Sequence, residues 1–158
     1  MKQLFVESFW LFWPILAANQ AAALAQLLKL PLATTPVSRR LLGENKTWAP
    51  YYVAPILAWM VLYIYNLPYL VGYALVLGWG AVLGDHGKSF FKRCLGYPPG
   101  ARWLPDRFDF ALGAGLLLMW YTPYVRWQHV VVLVAMAIPT HFVGNAIGYQ
   151  LGWRKTPH

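Results

Sequence analysis

Five long stretches of this chain are nearly free of charge, over residues 4–28, 50–66, 68–84, 108–124 and 129–151, and they constrain the fold more than any other feature. About 20 helical residues cross a bilayer's hydrocarbon core, and somewhat fewer can suffice. A segment in lipid must satisfy its own backbone N–H and C=O groups, so apolar runs of this length predict helices. The composition agrees: 59% of the 158 residues are hydrophobic and 11% charged, against about 25% charged in soluble domains. The expected fold is an all-α polytopic membrane protein, a bundle of about five transmembrane helices with two functional cytoplasmic loops. Residues 1–158 read as one integral-membrane domain, with no internal repeat or low-complexity tract. The first stretch outruns the 7–15 apolar residues of a signal peptide, and Lys2 is its one basic leader residue.

Basic residues flanking spans are retained in the cytoplasm. Lys29, Arg39, Arg40 and Lys46 follow the first span; Lys88, Lys92, Arg93, Arg102 and Arg107 lie between the third and fourth; Arg154 and Lys155 are in the tail. Lys2 and Arg126 face the other way. The surplus predicts a multi-pass protein of the cell membrane with its N-terminus outside, its C-terminus cytoplasmic and both rich loops on the cytoplasmic face. The formal net charge of +8 then reads as topology plus attraction to anionic lipid or nucleotide. Nucleic acid is not an expected partner, since no DNA- or RNA-binding module pattern is present.

Small residues at four-residue spacing allow close helix contact where no hydrophobic effect drives association. Gly80 and Gly84 have that spacing, as do Gly144, Gly148 and Gly152, and the latter face permits a homodimer. Pro14, Pro55 and Pro139 fall inside predicted helices. Cys94 is the one cysteine, so no intramolecular disulfide forms.

The chemistry is expected in the two cytoplasmic loops. Gly87-Lys88-Ser89 resembles the end of a phosphate-binding loop, but the pattern's first glycine would fall at Val82, and the apolar run before it is too long for a buried strand. Four of the five acidic residues, Glu44, Asp85, Asp106 and Asp109, lie in or at the edges of these loops, and Glu7 is the exception. Asp106 and Asp109, three apart, would share one face of a helix. With Asp85 ending the third span, three carboxylates would meet at the membrane surface and repel one another unless cations separated them. Hard oxygen ligands suit Mg²⁺, which takes one or two carboxylates and completes its shell with water and phosphates. Lys46, Lys88, Lys92, Arg93 and Arg107 suit phosphate oxygens. Simple pairing of these acids and bases in a solvated loop is the alternative, weakened at Asp109, which sits just inside an apolar span. His141 and Asn145, one helical turn apart in the last span, are further candidates as intramembrane polar groups. His86 reads as a lone, exposed loop histidine.

The stretch GDHGKSFFKRCLGYPPGARWLPDRFDF resembles the signature of the CDP-archaeol synthase family (CarS). LLGENKTW resembles that family's segment after the first span, and HFVGNAIGYQLGWRKTP its last helix and tail. Asp106-Arg107-Phe108-Asp109 is also similar to the related CDP-diacylglycerol synthases, and Ala49-Pro50 departs from the archaeal pattern. The resemblance implies Mg²⁺-dependent transfer of a cytidylyl group from CTP to a lipid phosphate, giving a CDP-lipid and pyrophosphate. It implies catalytic roles for Lys46, Asp85, Ser89, Lys92, Arg93, Asp106 and Asp109, metal binding by the three aspartates, and substrate contacts from Asn45, Thr47, Lys88, Arg107, His141 and Asn145. The partners implied are CTP, the lipid phosphate and membrane lipids.

Two other classes compete. A non-enzymatic helper subunit binding anionic headgroups explains the charge and the spans, but not acids that would repel those headgroups. A transporter is disfavoured because Glu7 alone among the charged residues lies well within a span.

Overall fold

The structure, a computed structural model, describes residues 2–67, 69–98 and 103–150, and the side chains of all of these except 145–149. Among them the regular structure is helical: α1 Lys2–Asn19, α2 Ala21–Leu27, α3 Pro50–Ile64, α4 Val71–Cys94, a 3-10 turn Leu104–Arg107, α5 Asp109–Tyr121 and α6 Trp127–Gln150. The one β pairing is an isolated antiparallel bridge between Pro36 and Thr47.

Three expectations are corrected. The first predicted span is two helices, because Gln20 N–H donates to the Ala17 carbonyl at 3.0 Å, a three-residue closure that ends α1 before α2 begins. The third continues ten residues past its predicted end, so Asp85 to Arg93 lie on α4 and not in a loop. That segment is polar yet helical because Ser89 and the charged residues recur at helical spacing. The helix stops instead at Gly96, whose φ of +76° a glycine adopts without strain. There Tyr97 N–H donates to the Lys92 carbonyl and Gly96 N–H to that of Arg93, satisfying two carbonyls of the last turn. Asp106 and Asp109 do not share a helix face, since Asp106 belongs to the 3-10 turn Leu104–Arg107 and Phe108, at φ −142°, separates it from α5.

Helix packing is set by small residues. A methyl on Gly80 would overlap the Ala114 backbone, and one on Gly84 would overlap the Asp109 carbonyl, so α4 and α5 approach at backbone contact as the glycine spacing predicts. Gly144 faces open space; the side of Gly148 is not among the described ones, and Gly152 lies outside the described residues. Pro14, Pro55 and Pro139 lie within α1, α3 and α6. The buried core is rich in alanine, with Ile15, Leu77, Leu118 and Leu133 as its large fully buried members.

Large apolar side chains face outward on the long helices: Trp10 on α1, Ile56 on α3, Trp79 on α4, Leu116 on α5 and Val131 on α6 are all exposed. Monomeric soluble proteins rarely leave so much apolar surface uncovered. Trp127–Gly144 is the one described segment both long and apolar enough to cross a membrane; α3 and α5, of 15 and 13 residues, are apolar but shorter.

Candidate functional site

The site forms where α4 leaves the apolar body of the bundle and meets the start of α5. Asp85, Lys88 and Lys92 project from one side of α4 at spacings of three and four residues. Lys88 Nζ lies 3.1 Å from Asp85 Oδ1, 3.4 Å from Asp106 Oδ1 and 2.5 Å from Asp109 Oδ2. Lys92 Nζ donates to Asp106 Oδ2 at 2.8 Å, and Lys46, from the α2–α3 connection, donates to Asp85 Oδ1 at 2.6 Å. Three aspartates and three lysines thus alternate in one partly buried network. Acids and bases pair with one another, the alternative that Asp109 weakened in the sequence, and Asp109 finds its partner in Lys88.

Each member has a local reason for its position. Lys46 sits beside the lone β-bridge, where Val37 N–H donates to the Lys46 carbonyl at 2.8 Å and Trp48 N–H to the Thr35 carbonyl at 3.1 Å. Thr47 of that bridge is buried, whereas Asn45 is exposed and makes no contact with the network among those described. Asp106 accepts the Trp103 backbone N–H at 2.9 Å, which fixes its carboxylate at the head of the 3-10 turn. Asp109 accepts the Phe110 N–H at 2.8 Å and is only 6% exposed.

Burial raises the Asp85 carboxyl, but the charges of Lys46 and Lys88 outweigh it and leave Asp85 below the ordinary carboxylate range. Burial likewise raises Asp106, and the bonds from Lys92 and the Trp103 N–H hold it low. For Lys88 burial acts downward, and Asp85 and Asp109 override it, so the ammonium is held above its usual range. Asp85, Asp106 and Lys88 are therefore all charged around neutral pH.

The remaining predicted residues lie at its margin. Ser89 directs its hydroxyl to the Asp85 carbonyl at 3.0 Å, within its own helix. Arg93 donates to the Tyr97 carbonyl, bracing the turn after α4, and its buried Nε has no hydrogen-bond partner. Arg107 stacks 4.3 Å over the Phe142 ring and so ties the 3-10 turn to α6 beside half-buried His141. The Asn145 side chain is outside the described set.

His86 corrects the expectation of an exposed loop histidine: it is buried, its Nδ1 donates to the Val82 carbonyl at 2.8 Å, and its ring meets Tyr51 edge-on. Its Nε2 is buried without a hydrogen-bond partner, and the ring stands beside Asp85, with Nδ1 3.9 Å from that carboxylate. Burial lowers its pKa, keeping the ring neutral. Helical spacing from Asp85 and Val82 is the signal that would have placed it inward.

Among the described residues no three His, Cys, Asp or Glu side chains are close enough to hold a metal ion by themselves. Asp106 Oδ1 and Asp109 Oδ2 are nevertheless buried oxygens that face Lys88 without hydrogen-bond geometry. Such a pair of hard donors suits Mg²⁺, which needs only one or two carboxylates.

A groove of about 560 Å³ opens directly from this network along α4 and α5. Lys88 and Asp109 are the charged residues in its walls, and Phe91, Phe108, Leu112 and Trp120 line it further on.

An all-helical bundle with an apolar exterior and a lysine–aspartate network at one end defines a class of protein that handles anionic groups beside hydrocarbon. The chain belongs to the CarS-like family, CDP-archaeol synthase, whose model matches residues 1–158. It is 33% identical to a CDP-archaeol synthase of Methanospirillum hungatei JF-1, over 75% of this chain and 82% of that protein. It is 32% identical to one of Pyrobaculum islandicum over 94% and 96%, and 28% identical to one of Archaeoglobus fulgidus over 99% of both. No solved structure matches the chain.

Proposed function

We propose that the chain transfers the cytidylyl group of CTP to an anionic lipid phosphate at the cytoplasmic face of a membrane that it crosses several times. The observation that carries this reading is the junction of the lysine–aspartate network with the apolar groove at Lys88 and Asp109. A reaction joining a polyanionic nucleotide to a lipid needs such a boundary. The exposed apolar residues on five helices support immersion, and the basic surplus on one side supports the orientation.

An oxygen of the lipid phosphate attacks the α-phosphorus of CTP in line. The new P–O bond forms as the bond to the β-phosphate oxygen breaks, and pyrophosphate leaves with that electron pair. Two anions must approach, so charge neutralisation and positioning supply most of the rate. Lys46, Lys88 and Lys92 bind phosphate oxygens, Lys88 by exchanging one of its three carboxylate partners. Asp106 and Asp109, with Asp85 across Lys88, would hold Mg²⁺, which supplies charge neutralisation and orientation of the phosphates. Arg93 and Arg107 position the loop and the 3-10 turn around them. The relatives' names make the phosphate precursor of CDP-archaeol the first lipid to test, with a diacyl phosphate second.

The test is radiolabelled CTP with the purified protein in detergent, with each lipid, with and without EDTA. CDP-lipid and pyrophosphate should form only when lipid and Mg²⁺ are both present. Lipid binding with no CTP turnover across both lipids would favour a helper subunit instead.

A further inference from the structure

The 560 Å³ groove has a neighbour. A second groove of about 360 Å³ lies between α5 and α6, lined by Met119, Trp127, Val130 and Val134. The two share three residues, Phe108, Leu112 and Leu116, which stand at four-residue spacing on α5 and form a single ridge between them. From Asp109 to Trp120 the ridge runs roughly 16 Å at 1.5 Å per residue. That is about the depth of one leaflet, half of a hydrocarbon core roughly 30 Å thick.

We propose that the two hydrocarbon chains of the lipid phosphate straddle this ridge, one in each groove, with the phosphate at Lys88; this rests on the reading above. The occupant is fixed by charge complementarity at one end and by continuity with the network: a headgroup anion meets Lys88 where the groove begins, and apolar walls continue from there. Leu116 and Trp120 are exposed, so the grooves open sideways and a lipid enters from the bilayer without leaving it. A two-chain lipid covers both faces of the ridge, whereas a single chain leaves one bare.

Gly87 makes the inference testable. It lines the larger groove beside Lys88, and a Cβ there would meet nothing within 4 Å, so a large side chain can be added without disturbing helix packing. Full-length protein in mixed micelles would be assayed with a two-chain lipid phosphate and with its single-chain counterpart. Gly87→Phe should lower kcat/KM for the two-chain lipid at least about tenfold and for the single-chain lipid less than about threefold, because the second groove remains. CTP binding without lipid should stay within about twofold. Ile56→Trp, in a separate apolar depression on α3, should match wild type on both lipids. Equal loss on both lipids, or none on either while wild type is active, overturns the straddled ridge. A changed oligomeric state with unchanged lipid preference would show instead that a second copy covers the groove. Absence of lipid-dependent turnover in wild type would defeat the parent reading, and this inference with it.

Discussion

Lys88 on α4 and Asp109 in the first turn of α5 meet at 2.5 Å, and the contact exists because Gly84, one turn earlier on α4, lets the α5 backbone touch α4 directly. With Asp109 6% exposed and the Lys88 side chain 13% exposed, the pair is shielded from water. Removing one partner therefore leaves a charge in a poor solvent.

Asp109→Asn keeps the shape and removes the charge. Turnover should be abolished and the Mg²⁺ dependence of any residue of activity weakened, since an amide is a much poorer ligand than a carboxylate. Clustered acids alone would predict a more stable variant, but the lysines already compensate them. Breaking a buried pair costs up to about 3–5 kcal/mol, and Lys88 retains two other carboxylates, so a smaller loss of thermal stability is expected. Near-normal CTP-dependent activity in this variant would remove Asp109 from the site.

Lys88→Gln takes away the cation shared by three carboxylates. Its unfolding temperature should fall in EDTA and recover with Mg²⁺ by more than wild type gains, because a ligand binding only the folded state stabilises it. An identical Mg²⁺ response in both proteins would argue against metal binding by these acids.

Lys46→Ala should lower kcat/KM at least about thirtyfold, roughly 2 kcal/mol of transition-state stabilisation from a charged contact. Arg93→Ala, whose guanidinium braces the Tyr97 carbonyl, should cost less activity and more stability. Steady-state kinetics beside thermal melts separates the two, and equal kinetic losses would mean a diffuse basic field.

His86 gives a pH signature. Burial depresses its folded pKa, so below the ordinary value of about 6.5 the unfolded chain binds the proton that the folded chain refuses. Stability should fall as pH drops through that window, by at most about 1.4 kcal/mol per pH unit. The difference in melting temperature between wild type and His86→Gln from pH 7 to 5 isolates this contribution, and a constant difference would contradict it.

Cysteines introduced at Glu44 and at Tyr97, both exposed, in a Cys94→Ala background should react with an impermeant maleimide only from the cytoplasmic side. Labelling from outside would reverse the orientation.

The apolar stretches, the helix contact at Gly80 and Gly84 and the identities of the charged residues were legible because each is a local pattern. The extension of α4 was misread because charge ends an apolar window without ending a helix; the spacing of Asp85, Lys88 and Lys92 carried the helical signal. Pairing across the fold left no such trace. Glu7 and His129, 122 residues apart, meet at 3.0 Å and join α1 to α6, and nothing near either residue announces the other. The Arg107–Phe142 contact is likewise tertiary.

Because α4 runs unbroken from Val71 to Cys94, Lys88 and Lys92 are carried by the same helix that forms one wall of the groove. Helices meet a change in bilayer thickness mainly by tilting. If the chain crosses the membrane as proposed, tilt of that helix would move the charged end and the groove wall as one body, so the registry between headgroup and chain would be preserved across membranes of different thickness, and what would change is the angle at which a lipid must approach.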